Sequence, residues 1–168
     1  MSLFLAGISL QAQNFECPFV QTRLMTVSGK TVVSEGTMTY TAPDHLAMVY
    51  SKPEGEYMII DGETVRLDMA GQIATIDTRK NTMAGGLSRT LLDCIAGNWQ
   101  QAADNNDADA AVTEKGGVRT VVITARKAVS RGGYSKIELY YRMKDNFLTK
   151  MVLEEYGGIR TTYELKTR

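Results

Sequence analysis

The sequence predicts a mainly β chain of the α+β class, a curved antiparallel sheet of about eleven strands with one helix laid across its open face. Three observations carry that reading. Segments rich in β-branched and aromatic residues recur along the chain, separated by short turns built on Gly, Pro, Asp and Asn. One internal stretch, Gly85 to Trp99, places Leu87, Leu91, Cys94, Ile95 and Trp99 at steps of three and four, the spacing of one helical face. A sheet this wide cannot stay flat and must curl, which gives the apolar set a concave face and the polar set a wet one.

The N-terminal stretch Met1 to Gln13 is apolar from Leu3 to Leu10 and ends in Gln11-Ala12-Gln13. It resembles the apolar and cleavage regions of a secretory signal peptide, although no Lys or Arg precedes it. An N-terminal helix docked on the sheet is the other reading. Residues 14–168 are expected to form one domain, with no linker to divide it.

Phe15 to Val27 reads as a long first strand, with Pro18 marking an edge or a bulge because it cannot donate a ladder hydrogen bond. Thr31 to Thr41 returns as the second strand, and Pro43-Asp44 turns the corner. In His45 to Ser51, Leu46, Met48 and Tyr50 share one side. Glu56 to Ile60 runs into Asp61-Gly62, the strongest hairpin signal in the chain, with Thr64 to Met69 as partner strand and Gln72 to Asp77 as the sixth.

Gly85 and Gly86 are read as the break before the helix, and Gly97-Asn98 as its left-handed stop. Gln100 to Asp109 is polar and acidic and reads as a solvated connection. Its aspartates lack the central Gly and terminal Glu of an EF-hand. Beyond it, Ala110 to Lys115 and Val118 to Ala125 form a hairpin, and Ser135 to Arg142 sets Ile137, Leu139 and Tyr141 on one face. Phe147 to Tyr156 follows, and in Ile159 to Arg168 the residues Ile159, Thr161, Tyr163 and Leu165 share a side.

Composition narrows the function. The 168 residues carry 19 basic and 19 acidic side chains, with no run of one sign, so the concentrated basic patch that nucleic acid requires is missing. His45 is the single histidine and sits beside a corner, out of phase with Leu46 and Met48. Ser88 lies in GGLSRT rather than a nucleophile elbow. The sequence contains no HExxH, CxxC, phosphate-cradling or dinucleotide motif. The reading is therefore not an enzyme, with no cofactor and no metal. The two cysteines, Cys17 and Cys94, are expected as buried free thiols, a disulfide being the alternative in an exported protein.

Nine methionines stand out, and Met25, Met38, Met48, Met58 and Met69 fall one per strand through the first five. Flexible, polarizable thioethers repack around ligands of varied shape. The apolar cavity and its lid are assigned to Phe15, Phe19, Met38, Tyr40, Met48, Tyr50 and Met58 from the strands, and to Leu87, Leu91, Ile95 and Trp99 from the helix. Burial of acyl carbons contributes about 0.8 kcal/mol per methylene, so such a cavity needs little polar specificity.

FECPFVQTRLM, SEGTMTYTAP, HLAMVYSKPEGEYMIIDGETVRLDM and GGLSRTLLDCIAGNWQQ together resemble the periplasmic lipoprotein carrier proteins, the LolA-like family. Shared features are Phe19 and Gln21 of the first strand, Gly36 and Pro43 around the second, Tyr50 and Pro53, the Asp61-Gly62 hairpin, and TTYELK near the end. The resemblance spans about Asn14 to Lys166. It implies an unclosed eleven-stranded β-barrel with helices capping its mouth, and a periplasmic monomer that sequesters lipoprotein acyl chains. The implied partners are an inner-membrane ABC transporter that loads it and an outer-membrane acceptor that receives the cargo. A sensor or scaffold of the same fold that docks a protein partner is the alternative. Family members latch the lid with an arginine before the corner proline, whereas Ala42 stands there in this chain. Arg23 and Arg66 are the candidate substitutes.

Overall fold

The computed structural model describes residues 14–127 and 133–167, so the stretch 1–13 lies outside the described residues. The expected sheet is present, with eleven strands: β1 Phe15–Met25, β2 Lys30–Thr41, β3 His45–Lys52, β4 Glu54–Asp61, β5 Thr64–Met69, β6 Gln72–Asp77, β7 Ala108–Lys115, β8 Val118–Ala125, β9 Tyr134–Arg142, β10 Phe147–Glu155 and β11 Ile159–Leu165. Two helices, α1 Thr82–Ala96 and α2 Trp99–Asn105, separate β6 from β7. The strand order is β6-β5-β4-β3-β2-β1-β11-β10-β9-β8-β7, antiparallel throughout. Every consecutive pair of strands hydrogen-bonds except β6 and β7, which form the two free edges, and the helices bridge that gap. The sheet is therefore an unclosed barrel.

This topology corrects the reading of Pro18. β1 lies at the centre of the sheet, between β2 and β11, rather than at an edge. Pro18 is in register with Thr37 of β2, and on its other side it stands just past the last β1–β11 pair, Phe19 with Leu165. Its carbonyl accepts the Lys166 N–H at 2.9 Å, and the reciprocal bond is the one that proline cannot donate. The missing donor falls where one ladder ends, at little cost.

α1 starts earlier than its glycines suggest. Asn81 caps it, its side chain accepting the Ala84 N–H at 3.0 Å, and Gly85 and Gly86 lie inside the first two turns. Gly85 is there for space, since a Cβ would sit 3.0 Å from the Thr78 carbonyl oxygen. The C-terminal stop is the expected one. Gly97 adopts φ 83°, its N–H bonds to Cys94 O, and Asn98 N–H bonds to Asp93 O, which is a Schellman motif.

Gln100 to Asn105, expected as solvated connection, is helical. α2 buries only Ala102 and Ala103, too little apolar surface to show as a periodic stripe. Trp99 accordingly opens a second helix instead of closing the first. Among the acidic residues of this region, Asp107 and Asp109 both hold Arg126, at 3.0 and 2.8 Å.

The core lies between the inner face of the sheet and the helices, and one apolar cluster spans both halves of the barrel, from Ile60 and Val65 to Val121 and Ile137. Gly36 is needed where β2, β3 and β1 crowd together, because a Cβ there would lie 2.3 Å from Val49 O and 3.0 Å from the Phe19 ring. On the outer face, Lys136, Glu138, Glu154 and Arg160 form a cross-strand ion-pair chain over β9–β11.

Candidate functional site

Alternation along each strand and register between strands assemble the inner face row by row. Cys17, Met38, Met48, Met58, Leu67 and Ala74 stand opposite one another across β1 to β6, so three methionines of adjacent strands form a continuous ladder. Met38 and Met48 are fully buried, and Met58 is half-buried against the core. The neighbouring row is Phe15, Tyr40, Leu46, Ile60, Val65 and Ile76. Aromatic rings pack against one another on this face. Phe15 meets Phe147 edge-on at 5.1 Å, and Phe19 meets Tyr50 edge-on at 5.3 Å.

The helical cover meets these rows through Leu91, Leu92, Cys94, Ile95 and Ala96, all buried in the same cluster, with Trp99 half-buried against it. Leu87 is half-exposed and stands outside that cluster. The strand residues read from sequence, Phe15, Phe19, Met38, Tyr40, Met48, Tyr50 and Met58, thus belong to one apolar cluster with Leu91 and Ile95. α1 is tied to the far half of the barrel by the Tyr141 hydroxyl, which donates to the Cys94 carbonyl oxygen at 2.6 Å.

The thiols behave as apolar groups. Cys17 and Cys94 are both free and buried. Burial pushes the Cys17 pKa up to about 11 and that of Cys94 higher still, so neither offers a thiolate near neutral pH. His45 sits in the outer layer, 3.4 Å from Asp61 Oδ1. No nucleophile and base converge among the described residues.

Two polar features escaped the sequence reading. Asp93 lies on the buried face of α1, 1% exposed, with Oδ1 paired to Arg89 at 3.0 Å and Oδ2 without a partner. Burial holds its carboxyl above the ordinary carboxylate value, against the opposing pull of Arg89. Asp93 and Arg89 line a cleft with Tyr40, Ala42 and Pro43, the corner where the resemblance leads one to expect a latch arginine. Neither candidate substitute reaches it. Arg66 is exposed and out of phase with inward-facing Val65. Arg23 is registered with Val32 and Thr161, two rows beyond Phe19 and on the opposite side from Phe15.

The second feature is the change in chemistry along β1. Past Phe19 the inner face becomes polar, with Gln21, Ser34 and Thr161 buried and Arg23 half-buried beside them. The Tyr50 hydroxyl donates to Gln21 Oε1 at 2.5 Å. Arg23 Nε is buried without a hydrogen-bond partner. The signal was present in the sequence, since Arg23 shares the alternation of Phe19 and Gln21.

Among solved structures, the chain is similar to a LolA superfamily protein of Nitrosomonas europaea, with 9% identity over 92% of this chain and 84% of that one and a TM-score of 0.40. It is similar to lipoprotein LppX of Mycobacterium tuberculosis, at 7% identity over 90% and 84% with a TM-score of 0.37. MucB, solved in complex with MucA(peri), aligns at 12% identity over 92% of this chain and 50% of its own, with a TM-score of 0.44. No curated protein matches the chain. The family model described as "Outer membrane lipoprotein carrier protein LolA" matches residues 10–167, nearly the whole chain, which therefore belongs to the LolA family.

Proposed function

We propose that this protein is a periplasmic carrier that takes up lipoprotein acyl chains between the inner face of its sheet and α1, and that it binds and transports rather than catalyses. The observation that carries this reading is the Met38–Met48–Met58 ladder lying in register within the cluster that α1 covers. Long unbranched thioether side chains exchange rotamers at low cost, so the ladder can reshape around a hydrocarbon tail. α1 meets the sheet through the apolar side chains of its second half, with a single phenol hydrogen bond from the far half of the barrel at its last turn, so a cover that shifts would exchange non-directional contacts and one directional bond. Loading by an inner-membrane ABC transporter and delivery to an outer-membrane acceptor complete the proposed cycle. The protein works in it as a monomer, as one domain from residue 14 onward, and residues 1–13 are its export signal.

Native mass spectrometry of the protein taken from its own compartment tests this directly. The expected result is a mass adduct removed by delipidation, and displacement of an apolar dye by diacyl lipid. The reading is wrong if neither is seen.

A further inference from the structure

We propose that the polar end of the inner face is a binding site for the acidic headgroup of an amphiphile, anchored by Arg23. The proposal rests on the carrier reading above, with the hydrocarbon tail under α1 and the head at Arg23.

Arg23 faces inward from the central strand, in phase with Phe19 and Gln21, and lies opposite Thr161 on one side and Val32 on the other. The next row holds Tyr163, Gln21 and Ser34, so the row beside Arg23 offers hydroxyl and amide groups. The planar guanidinium of Arg23 presents a fork of N–H donors that matches a carboxylate or phosphate. The two other half-buried arginines among the described residues, Arg119 and Arg142, each hold a carboxylate, at 2.9 and 2.6 Å. Arg23 has no such partner, and its Nε is shut off from water without a hydrogen bond. The nearby carboxylates do not supply one. Glu56 acts on Tyr50 but accepts the Ala70 N–H at 2.8 Å, and Glu155 acts on Tyr134 and Tyr163 without pairing to Arg23. A partly desolvated cation without a counter-ion is costly, and an anionic ligand group would offset that cost.

The tail is implied by what lies beyond. Arg23, Gln21, Phe19, Cys17 and Phe15 follow one another along the inward side of β1, from charged through polar to apolar. At about 3.3 Å per residue this path is roughly 26 Å long. It exceeds the ~15 Å depth of one leaflet of a bilayer core, so a tail could run its length once the side chains that now fill the core between sheet and helix give way.

The test compares three probes of one chain length, dodecanol, dodecanoate and dodecyl phosphate, titrated into the full chain at pH 8. Binding is followed by fluorescence of Trp99, the single tryptophan, and by native mass spectrometry. The wild type is expected to bind at least one acid about tenfold more tightly than the alcohol, with an advantage that shrinks as salt is added. Whether the carboxylate or the phosphate gains more identifies the source of the head. Arg23→Gln should abolish the advantage and leave dodecanol binding unchanged, while Arg23→Lys keeps part of it. Equal affinity for alcohol and acids in the wild type overturns the headgroup site and leaves the carrier reading intact. An advantage that survives in Arg23→Gln also overturns it. If no probe binds, both fall together. The wild-type comparison decides the matter even if the glutamine variant does not fold.

Discussion

The phenol of Tyr141, fully buried in β9, donates a 2.6 Å hydrogen bond to the carbonyl oxygen of Cys94 in the last turn of α1. That carbonyl also accepts the Gly97 N–H of the Schellman motif at 3.3 Å. One oxygen therefore joins the end of the covering helix both to its own cap and to the far half of the barrel. Removal of the hydroxyl leaves the carbonyl with its cap bond, so the loss is that of a hydrogen bond rather than of an orphaned acceptor. Tyr141→Phe is expected to cost about 1 kcal/mol of stability. In hydrogen exchange, faster opening should be concentrated in α1. Uniform loss across the strands would show that the contact is ordinary core packing.

Gly36 marks the tightest approach within the sheet. A methyl group there meets the Val49 carbonyl oxygen and the Tyr50 Cα, both backbone atoms that cannot turn aside. Gly36→Ala is expected to destabilise by about 2 kcal/mol or more, as overpacking of a dense interior does. Urea denaturation measures it, and a change near zero would mean that β3 can slide away from β2.

Asp93 makes stability depend on pH with a sign opposite to that of a salt-bridged surface carboxylate. Its folded-state pKa is raised by burial above the ordinary value of 3.8, so the folded protein holds this proton more tightly than the unfolded chain. In the window from that ordinary value up to the raised one, stability contributed by this group falls as pH rises. Asp93→Asn removes the titration. The stability of the variant relative to wild type should therefore increase as pH rises through the window, as measured by urea unfolding at a series of pH values. A difference that is flat with pH would mean that Arg89 fully compensates the buried charge.

The fold was legible because alternation and hairpin chemistry are local. Leu46, Met48 and Tyr50, or Ile137, Leu139 and Tyr141, declare their buried side within a few residues. What is not local was lost. Pro18 looks like an edge residue, yet β1 meets β11 at the other end of the chain, a pairing no short window contains. Gly85 reads as a helix breaker until Thr78 is seen pressing against it. α2 hides because two alanines suffice to seat a short helix on β7 and β8. Most of the candidate apolar site was visible as strand-phased aromatics and methionines. The meaning of Arg23 and Asp93 was not, since a charged side chain becomes informative only when its partners, or their absence, are known.

The methionine ladder separates adaptability from stability. Met38, Met48 and Met58 can each be replaced by leucine, which keeps volume and apolarity but branches the side chain and narrows its rotamer choice. Such swaps usually cost less than about 1.5 kcal/mol per site in a packed core. The triple variant should therefore fold and melt cooperatively, while its binding becomes more selective. Across a series of saturated and unsaturated chains of different length, the wild type is expected to show a shallow dependence of affinity on chain shape. The triple leucine variant should show a steep one, with the best ligand retained and the bent or longer chains weakened by about tenfold, the equivalent of 1.4 kcal/mol. If the variant binds the whole series as the wild type does, the thioethers are plain core filling, and adaptability resides elsewhere in the fold.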